Sequence, residues 1–287
     1  MNNVLVSLKE LLNQCKKNKT AIPAFNVYNL ETILSVNQAA NNLNRPVIFS
    51  FGESYLDDLP LELIALNIRF LAERSQQPMV LHLDHAKNMS TITRAIDCGF
   101  TSVMYDGSHL RIEENIKNTR AVVEIAREAK VSVEGELGYM NPEDGSQNDE
   151  PSSAETSEFT RPELALKYVT ETEVDALAIA IGNAHGLYRG EPHLEYSVLA
   201  EIAALTDIPL VLHGSSGIPA EQIKKAINLG ICKINVNTEL ALGAVESIRR
   251  SIKISPEVNS LRYEKLIRQT KADLVLLIEE YLKLTSN

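Results

Sequence analysis

Short apolar runs alternate with amphipathic stretches along almost the whole chain. The runs fall at 21–27, 46–51, 79–85, 102–106, 131–137, 176–182, 210–214 and 233–238. Most are rich in Val, Ile and Leu with little polar alternation, the pattern of parallel strands covered on both faces. Between them lie segments of helical period. One, at 113–130, places Ile116, Val122, Val123, Ile125 and Ala126 on an apolar side, and 163–172, 196–206 and 220–229 read alike. Eight strand-then-helix units in roughly 250 residues predict a (β/α)8 TIM barrel of the α/β class. The rival is a doubly wound open sheet, which carries a glycine fingerprint after its first strand. Here the first strand is followed by Asn26-Val27-Tyr28-Asn29-Leu30.

Two segments break the rhythm. Residues 138–161 are polar, rich in Glu, Asp and Ser, and include Pro142 and Pro151. An insertion of that length and polarity predicts a mobile lid over a site. The tail at 255–287 predicts a helical extension with apolar positions Leu266, Ile267, Leu274, Leu276, Leu277, Ile278, Tyr281 and Leu282. One face of it is expected to pack on the barrel or on a partner subunit. Residues 1–287 therefore read as one barrel domain with a loop insertion and a C-terminal extension.

Composition narrows the function classes. The chain has 287 residues, 44% hydrophobic and 23% charged, as in ordinary globular proteins. A formal net charge of -10 argues against a nucleic-acid partner, which needs basic clusters. No run is long and apolar enough to span a bilayer, and residues 1–10 lack the order of a signal peptide. Cys15, Cys98 and Cys232 are scattered with no C-x-x-C pair. That pattern predicts a reducing, cytoplasmic setting and no thiolate zinc site.

The chemistry sits where strands run out, the place barrel enzymes keep their active residues. In order the strand ends offer Asp84 and His85 (third), Asp106 (fourth), Glu134 and Glu136 (fifth), His185 (sixth), His213 (seventh) and residues 235–238 (eighth). Three imidazoles converging on one rim can hold a zinc ion and leave a coordination position open for substrate. Neighbouring strand residues face opposite ways. Asp84 and His85 can both reach the centre only where the strand ends or bulges, so His85 is placed at the first loop position. His82 is expected to point into the barrel beside Asp84 and orient it. His109 and His193, in loop or helix-entry sequence, read as ordinary hydrogen-bonded residues, and Cys98 as a helix-end core residue.

Glycine-rich stretches on the same rim predict a phosphate site. Gly214-Ser215-Ser216-Gly217 follows the seventh strand, and Asn235-Val236-Asn237-Thr238 ends the eighth and runs into a helix. Loops after strands seven and eight are the usual phosphate site of such barrels. Backbone N–H groups at a helix start hold a dianion without lysines. Lys233 is placed at the start of strand eight, the wrong end of the barrel for a Schiff base.

Six ordered motifs carry a resemblance to a known family. They are His82-Leu83-Asp84-His85, Tyr105-Asp106-Gly107-Ser108-His109, Val133-Glu134-Gly135-Glu136-Leu137-Gly138, Gly182-Asn183-Ala184-His185-Gly186, His213-Gly214-Ser215-Ser216-Gly217 and Asn235-Val236-Asn237-Thr238. Together they resemble the class II, zinc-dependent ketose-bisphosphate aldolases, over about residues 8–237 and more loosely beyond. The resemblance implies a lyase of carbohydrate metabolism, as in glycolysis, that cleaves a ketose 1,6-bisphosphate to dihydroxyacetone phosphate and an aldehyde such as glyceraldehyde 3-phosphate. Fructose 1,6-bisphosphate is the first expectation, tagatose 1,6-bisphosphate the second and a deoxy-keto-acid phosphate the third. It also implies a homodimer or homotetramer.

By the same resemblance His85, His185 and His213 bind Zn2+, and Asp106 and Glu136 hold a displaced metal position. Asp84 exchanges the C4 hydroxyl proton. Gly186, Gly214, Ser215, Ser216, Asn235, Val236, Asn237 and Thr238 bind the phosphate end, and Gly186, Gly214 and Ser216 also match a monovalent-cation (Na+ or K+) site. Glu143 matches the acid of the mobile loop. The family has a Gly-Gly pair before that acid where this chain has Tyr139-Met140-Asn141-Pro142, so Asp144 and Glu150 stand as alternatives. Ser50-Phe51-Gly52-Glu53-Ser54-Tyr55 after the second strand is shorter than in the family, which points to a different aldehyde half. Outside the aldolases, a zinc-dependent barrel hydrolase using metal-bound water and a barrel scaffold without turnover are the competing readings.

Overall fold

The computed structural model describes residues 4–138, 159–186, 188, 190–254 and 262–286. Eight parallel strands close into a barrel in sequence order. They are β1 (Ile22–Asn26), β2 (Val47–Gly52), β3 (Met79–Ala86), β4 (Ser102–Tyr105), β5 (Ser132–Leu137), β6 (Ala176–Ile179), β7 (Leu210–Leu212) and β8 (Ile231–Val236). The helices are α1 (Leu8–Asn18), α2 (Leu30–Leu43), α3 (Leu61–Ala72), α4 (Met89–Cys98), α5 (Ile112–Ala129), α6 (Pro162–Thr172), α7 (Tyr196–Leu205), α8 (Ala220–Asn228), α9 (Thr238–Ile254) and α10 (Tyr263–Leu284). The expected barrel and its C-terminal helical extension are present. No helix among the described residues is long and apolar enough to cross a membrane.

Local sequence sets the helix boundaries. Asn29 and Thr32 cap α2 reciprocally, side chain to backbone, which satisfies donors the first turn leaves open. Pro162 opens α6, where its missing N–H costs nothing. Lys19, Asn44, Gly99, Lys130 and Glu173 stop α1, α2, α4, α5 and α6 in left-handed conformation.

Helix α1 was not among the segments expected from sequence. Its Leu8, Leu11, Leu12 and Cys15 pack into the barrel interior against Ile22, Ala24, Ile48, Val80, Ala176, Ala178, Val211 and Cys232. This apolar plug fills the half of the barrel at the N-terminal ends of the strands. The other half of the interior is polar: Asn26, Ser50, His82, Asp84, Glu134, Glu136, His213, Lys233 and Asn235 are all buried. Barrel interiors are normally packed with branched apolar side chains, so a polar half marks the end where chemistry is done.

Four details differ from the sequence reading. β8 starts at Ile231, two residues earlier than the expected 233, and its register against β7 shifts between Leu210 and Val211. Ile125, expected on the covered side of α5, is 37% exposed. In α10, Leu274, Ile278, Tyr281 and Leu282 are buried while Leu276 is 61% exposed; α10 packs on α2 and α9. The return end of the expected insertion is fixed: buried Thr160 donates its hydroxyl to Leu137 O at 2.6 Å and its N–H to Ala180 O at 2.7 Å.

Candidate metal centre

Three histidines meet at the C-terminal rim. One ring nitrogen from each of His85, His185 and His213 lies within 4.8 Å of the others, and His85, Asp106 and Glu136 form a second group on the same criterion. Ring centroids are 4.9 Å apart for His85–His185 and 4.7 Å for His85–His213.

Each ring is positioned differently. His85 lies inside β3, not in the first loop position expected from sequence. The ladder to β4 slips between Leu83 and Ala86, and His85 has φ 46°, the left-handed region that ordinary residues avoid. That bulge turns Asp84 and His85 to one side. His85 Nδ1 sits 3.1 Å from Asp106 Oδ2, and Ser108 donates its hydroxyl to the other Asp106 oxygen at 2.7 Å. His185 follows β6 in a turn held by Asn183, which accepts from Ile181 N at 2.8 Å and donates to His213 O at 3.1 Å. His213 directly follows β7, fully buried, with Nε2 2.9 Å from Glu134 Oε1.

Electrostatics favours a cation. Burial pulls the His85 imidazole down, but Asp84, Asp106 and Glu136 outweigh it and push it up to about 10. Burial, with His85 and His213 nearby, drops His185 to about 3. Burial and the charge of Asp106 raise the Glu136 carboxyl. Burial opposes ionisation of Asp84 too, yet His85, Lys233, His213 and His82 hold it well below the usual carboxylate range. His213 Nδ1 and Glu136 Oε2 are buried without a hydrogen-bond partner, although only 3.2 Å apart. Buried polar atoms left so are rare. An ion held among imidazole and carboxylate donors would satisfy both, so the donor set fits a transition metal such as zinc.

Asp84 is held by residues the sequence reading did not choose for it. Asn26 Nδ2 donates to one oxygen at 3.1 Å and Asn235 Nδ2 to the other at 3.2 Å. His82, expected to orient Asp84, stands off at 3.8 Å and pairs with Ser102 Oγ at 2.8 Å. The signal for Asn26 was available: it ends β1 at the level where the other strands end in Asp and His. Lys233, expected at the start of strand eight and so at the wrong end of the barrel, is the third residue of β8. It is fully buried inside, with Nζ 2.9 Å from both oxygens of Glu134.

The expected phosphate loops adjoin the histidines. Gly214 has φ 57°, and a Cβ there would come within 2.1 Å of Ala184 O. Tyr188 ties the same two loops, accepting from Ala184 N at 3.0 Å and donating to Gly214 O at 2.8 Å. Two of the expected phosphate residues face elsewhere. The Ser215 hydroxyl donates to Asn235 O at 2.5 Å, and the Val236 side chain is buried in the core. Both can offer an anion only their backbones. Ser216 Oγ accepts from Glu239 N at 3.3 Å in the first turn of α9. Asn237 pairs with the hydroxyls of Tyr28 and Tyr55, and Thr238 begins α9. Gly186 has φ 82° beside His185. Glu143, with the alternatives Asp144 and Glu150, lies outside the described residues.

Comparison with known proteins adds an independent line. Residues 6–287 match the family model described as fructose-bisphosphate aldolase class-II. The chain is 36% identical to the D-tagatose-1,6-bisphosphate aldolase subunit GatY of Klebsiella oxytoca, covering 94% of this chain and 95% of that one. The crystal structure of the YdjI aldolase from Escherichia coli K12 superposes with a TM-score of 0.85 at 33% identity, over 98% of this chain and 97% of the other. A putative fructose-1,6-bisphosphate aldolase from Coccidioides immitis gives 0.86 at 29%, over 97% and 95%.

Proposed function

The chain belongs to the class II fructose-bisphosphate aldolase family, and from that premise we propose that it cleaves a ketose 1,6-bisphosphate through a zinc ion held by His85, His185 and His213. The enzyme is an aldolase, a carbon–carbon lyase. The observation that carries the zinc reading is the convergence of three imidazole nitrogens within 4.8 Å on the rim, beside buried Asp84. The products are dihydroxyacetone phosphate and an aldehyde such as glyceraldehyde 3-phosphate. The family model is described for fructose bisphosphate and the 36% identical relative for tagatose bisphosphate; the two substrates differ at C4.

When bound, the metal supplies Lewis-acid stabilisation of the negative charge that develops as C3–C4 breaks. The protein does the rest. Asp84, kept ionised and aimed by Asn26 and Asn235, takes the C4 hydroxyl proton during cleavage and returns it in condensation. Glu143 is assigned from sequence as the acid that protonates the three-carbon fragment. Backbone N–H groups of Gly214, Ser215 and Ser216 and the start of α9 at Asn237 and Thr238 hold the phosphate, which fixes the reacting carbons beside Asp84. Asp106 and Glu136 share His85 as a second resting place for the ion. Gly186, Gly214 and Ser216 are assigned to a Na+ or K+ ion, and activity compared in the two salts and in neither checks that.

The test is an assay of both bisphosphates, with and without a chelator, reading triose phosphate. Triose phosphate that disappears on chelation and returns with zinc supports the reading. Product that persists under chelation, with borohydride labelling a lysine, overturns the metal route. Release of inorganic phosphate without carbon–carbon cleavage overturns the substrate assignment.

A further inference from the structure

A lysine sealed inside a barrel, one layer beneath the metal centre, is costly unless it is paired. Lys233 is 0% exposed, and its Nζ lies 2.9 Å from both oxygens of Glu134, also 0% exposed. Oε1 of that carboxylate is 2.9 Å from His213 Nε2. The opposite nitrogen of the same ring, Nδ1, has no hydrogen-bond partner and faces the cluster of His85, His185 and Glu136. A chain of three side chains thus runs from the barrel interior to the rim.

We propose that the Lys233–Glu134 ion pair is a positioning unit for the metal centre, which fixes the proton of His213 on Nε2 and leaves the Nδ1 lone pair for the ion. Two neutral forms of a free imidazole compete. A carboxylate acceptor at Nε2 selects the form protonated there, and makes Nδ1 the more basic donor. Glu134 can do this only while ionised, which burial opposes. The ammonium of Lys233, 2.9 Å from both carboxylate oxygens, supplies the opposing charge. The bulge at the start of β8 is what turns Lys233 inward: Val211 pairs with Lys233 where regular spacing would bring Cys232. The proton transfers proposed above use neither Lys233 nor Glu134, and both are 0% exposed.

The inference rests on His213 being a zinc ligand, so the experiment separates the two. Zinc dissociation constants are measured by competition with a chromophoric chelator, alongside thermal unfolding. Lys233→Met/Glu134→Gln buries no lone charge; it is expected to fold and to bind zinc about 10–100-fold more weakly than the parent. Parental zinc affinity in the folded double variant overturns the proposal. Where they fold, Lys233→Met and Glu134→Gln alone match the double variant, because the pair acts as one device; losses that multiply overturn it. Leu12→Ala is the structural control: it lowers stability but keeps parental zinc affinity, and a comparable zinc loss there overturns the claim that the effect is positional. His213→Ala tests the underlying reading. If it retains zinc, the ligand assignment is wrong; if it loses zinc while the double variant does not, only the positioning role is wrong.

Discussion

Asp84 and His85 are neighbours in β3, yet both side chains turn toward the barrel mouth. The cause is local: His85 has φ 46° and the ladder to β4 slips around it. Bulges recur beside active sites because they re-aim one side chain without ending the strand. Here the bulge puts the proposed base and a proposed ligand at one level. Left-handed backbone at a non-glycine residue costs about 1–3 kcal/mol, which the contact from His85 to Asp106 helps offset.

The division of labour between the two predicts a clean separation in mutants. Asp84→Asn keeps the shape and both asparagine neighbours but cannot accept a proton. Turnover should fall by about 10²–10⁴ while zinc content, measured by atomic absorption, stays at the parental level. Turnover near the parental value would remove Asp84 from proton transfer.

The close approach of the loops after β6 and β7 predicts a specific glycine requirement. Gly214→Ala drives a methyl against Ala184 O, one residue from His185. Backbone cannot give way as a side chain would, so the two loops must part. A displacement near 1 Å costs on the order of 100-fold in kcat/KM. Gly190→Ala, where a Cβ would meet nothing within 4 Å, should leave kcat/KM unchanged. Equal behaviour of the two variants would refute the packing argument.

Burial at the closed end predicts a purely structural effect. Leu12 on α1 is fully buried among interior side chains of the barrel. Leu12→Ala should lose about 2–5 kcal/mol in denaturant unfolding, with kcat of the folded protein unchanged. A parallel loss of kcat would mean that the plug shapes the site.

Acid should loosen the C-terminal helix. Burial raises the Asp273 carboxyl, but hydrogen bonds from Ser247, Gln269 and Arg250 outweigh it and hold the group below its usual value. Ser247 and Arg250 lie on α9, so the contact ties α10 to it. A depressed carboxyl stabilises the fold fully above its unfolded value of about 3.9. That contribution drains away as pH falls through the lower folded value. Between about pH 4 and the acid limit the parent should therefore lose stability more steeply than Asp273→Asn. Parallel slopes in denaturant titrations would sink this.

Much of this was readable from the chain, for physical reasons that differ by residue. Strands covered on both faces write themselves as apolar runs rich in Val, Ile and Leu, which is why β6 and β7 stood out. His213 was legible because it directly follows such a run, and His185 because it stands in the turn at 182–186 after another. The bulge at His85 was not, since it is a backbone torsion that His-Ala-Lys does not encode alone. Lys233 was misplaced for the same reason: a register slip between β7 and β8 moved it inward, and no residue type announces a slip. Helix α1 was overlooked although Leu8, Leu11, Leu12 and Cys15 carry the helical period. Asn26 was passed over because an amide at a strand end has no chemistry until a carboxylate is placed opposite it.

Because α1 corks one mouth of the barrel, the histidine-bearing rim is the open doorway among the described residues. Ion, sugar and product pass over it. Occupancy of that doorway by substrate should therefore slow the escape of the metal beneath it, so that the enzyme guards its own ion best while it is working.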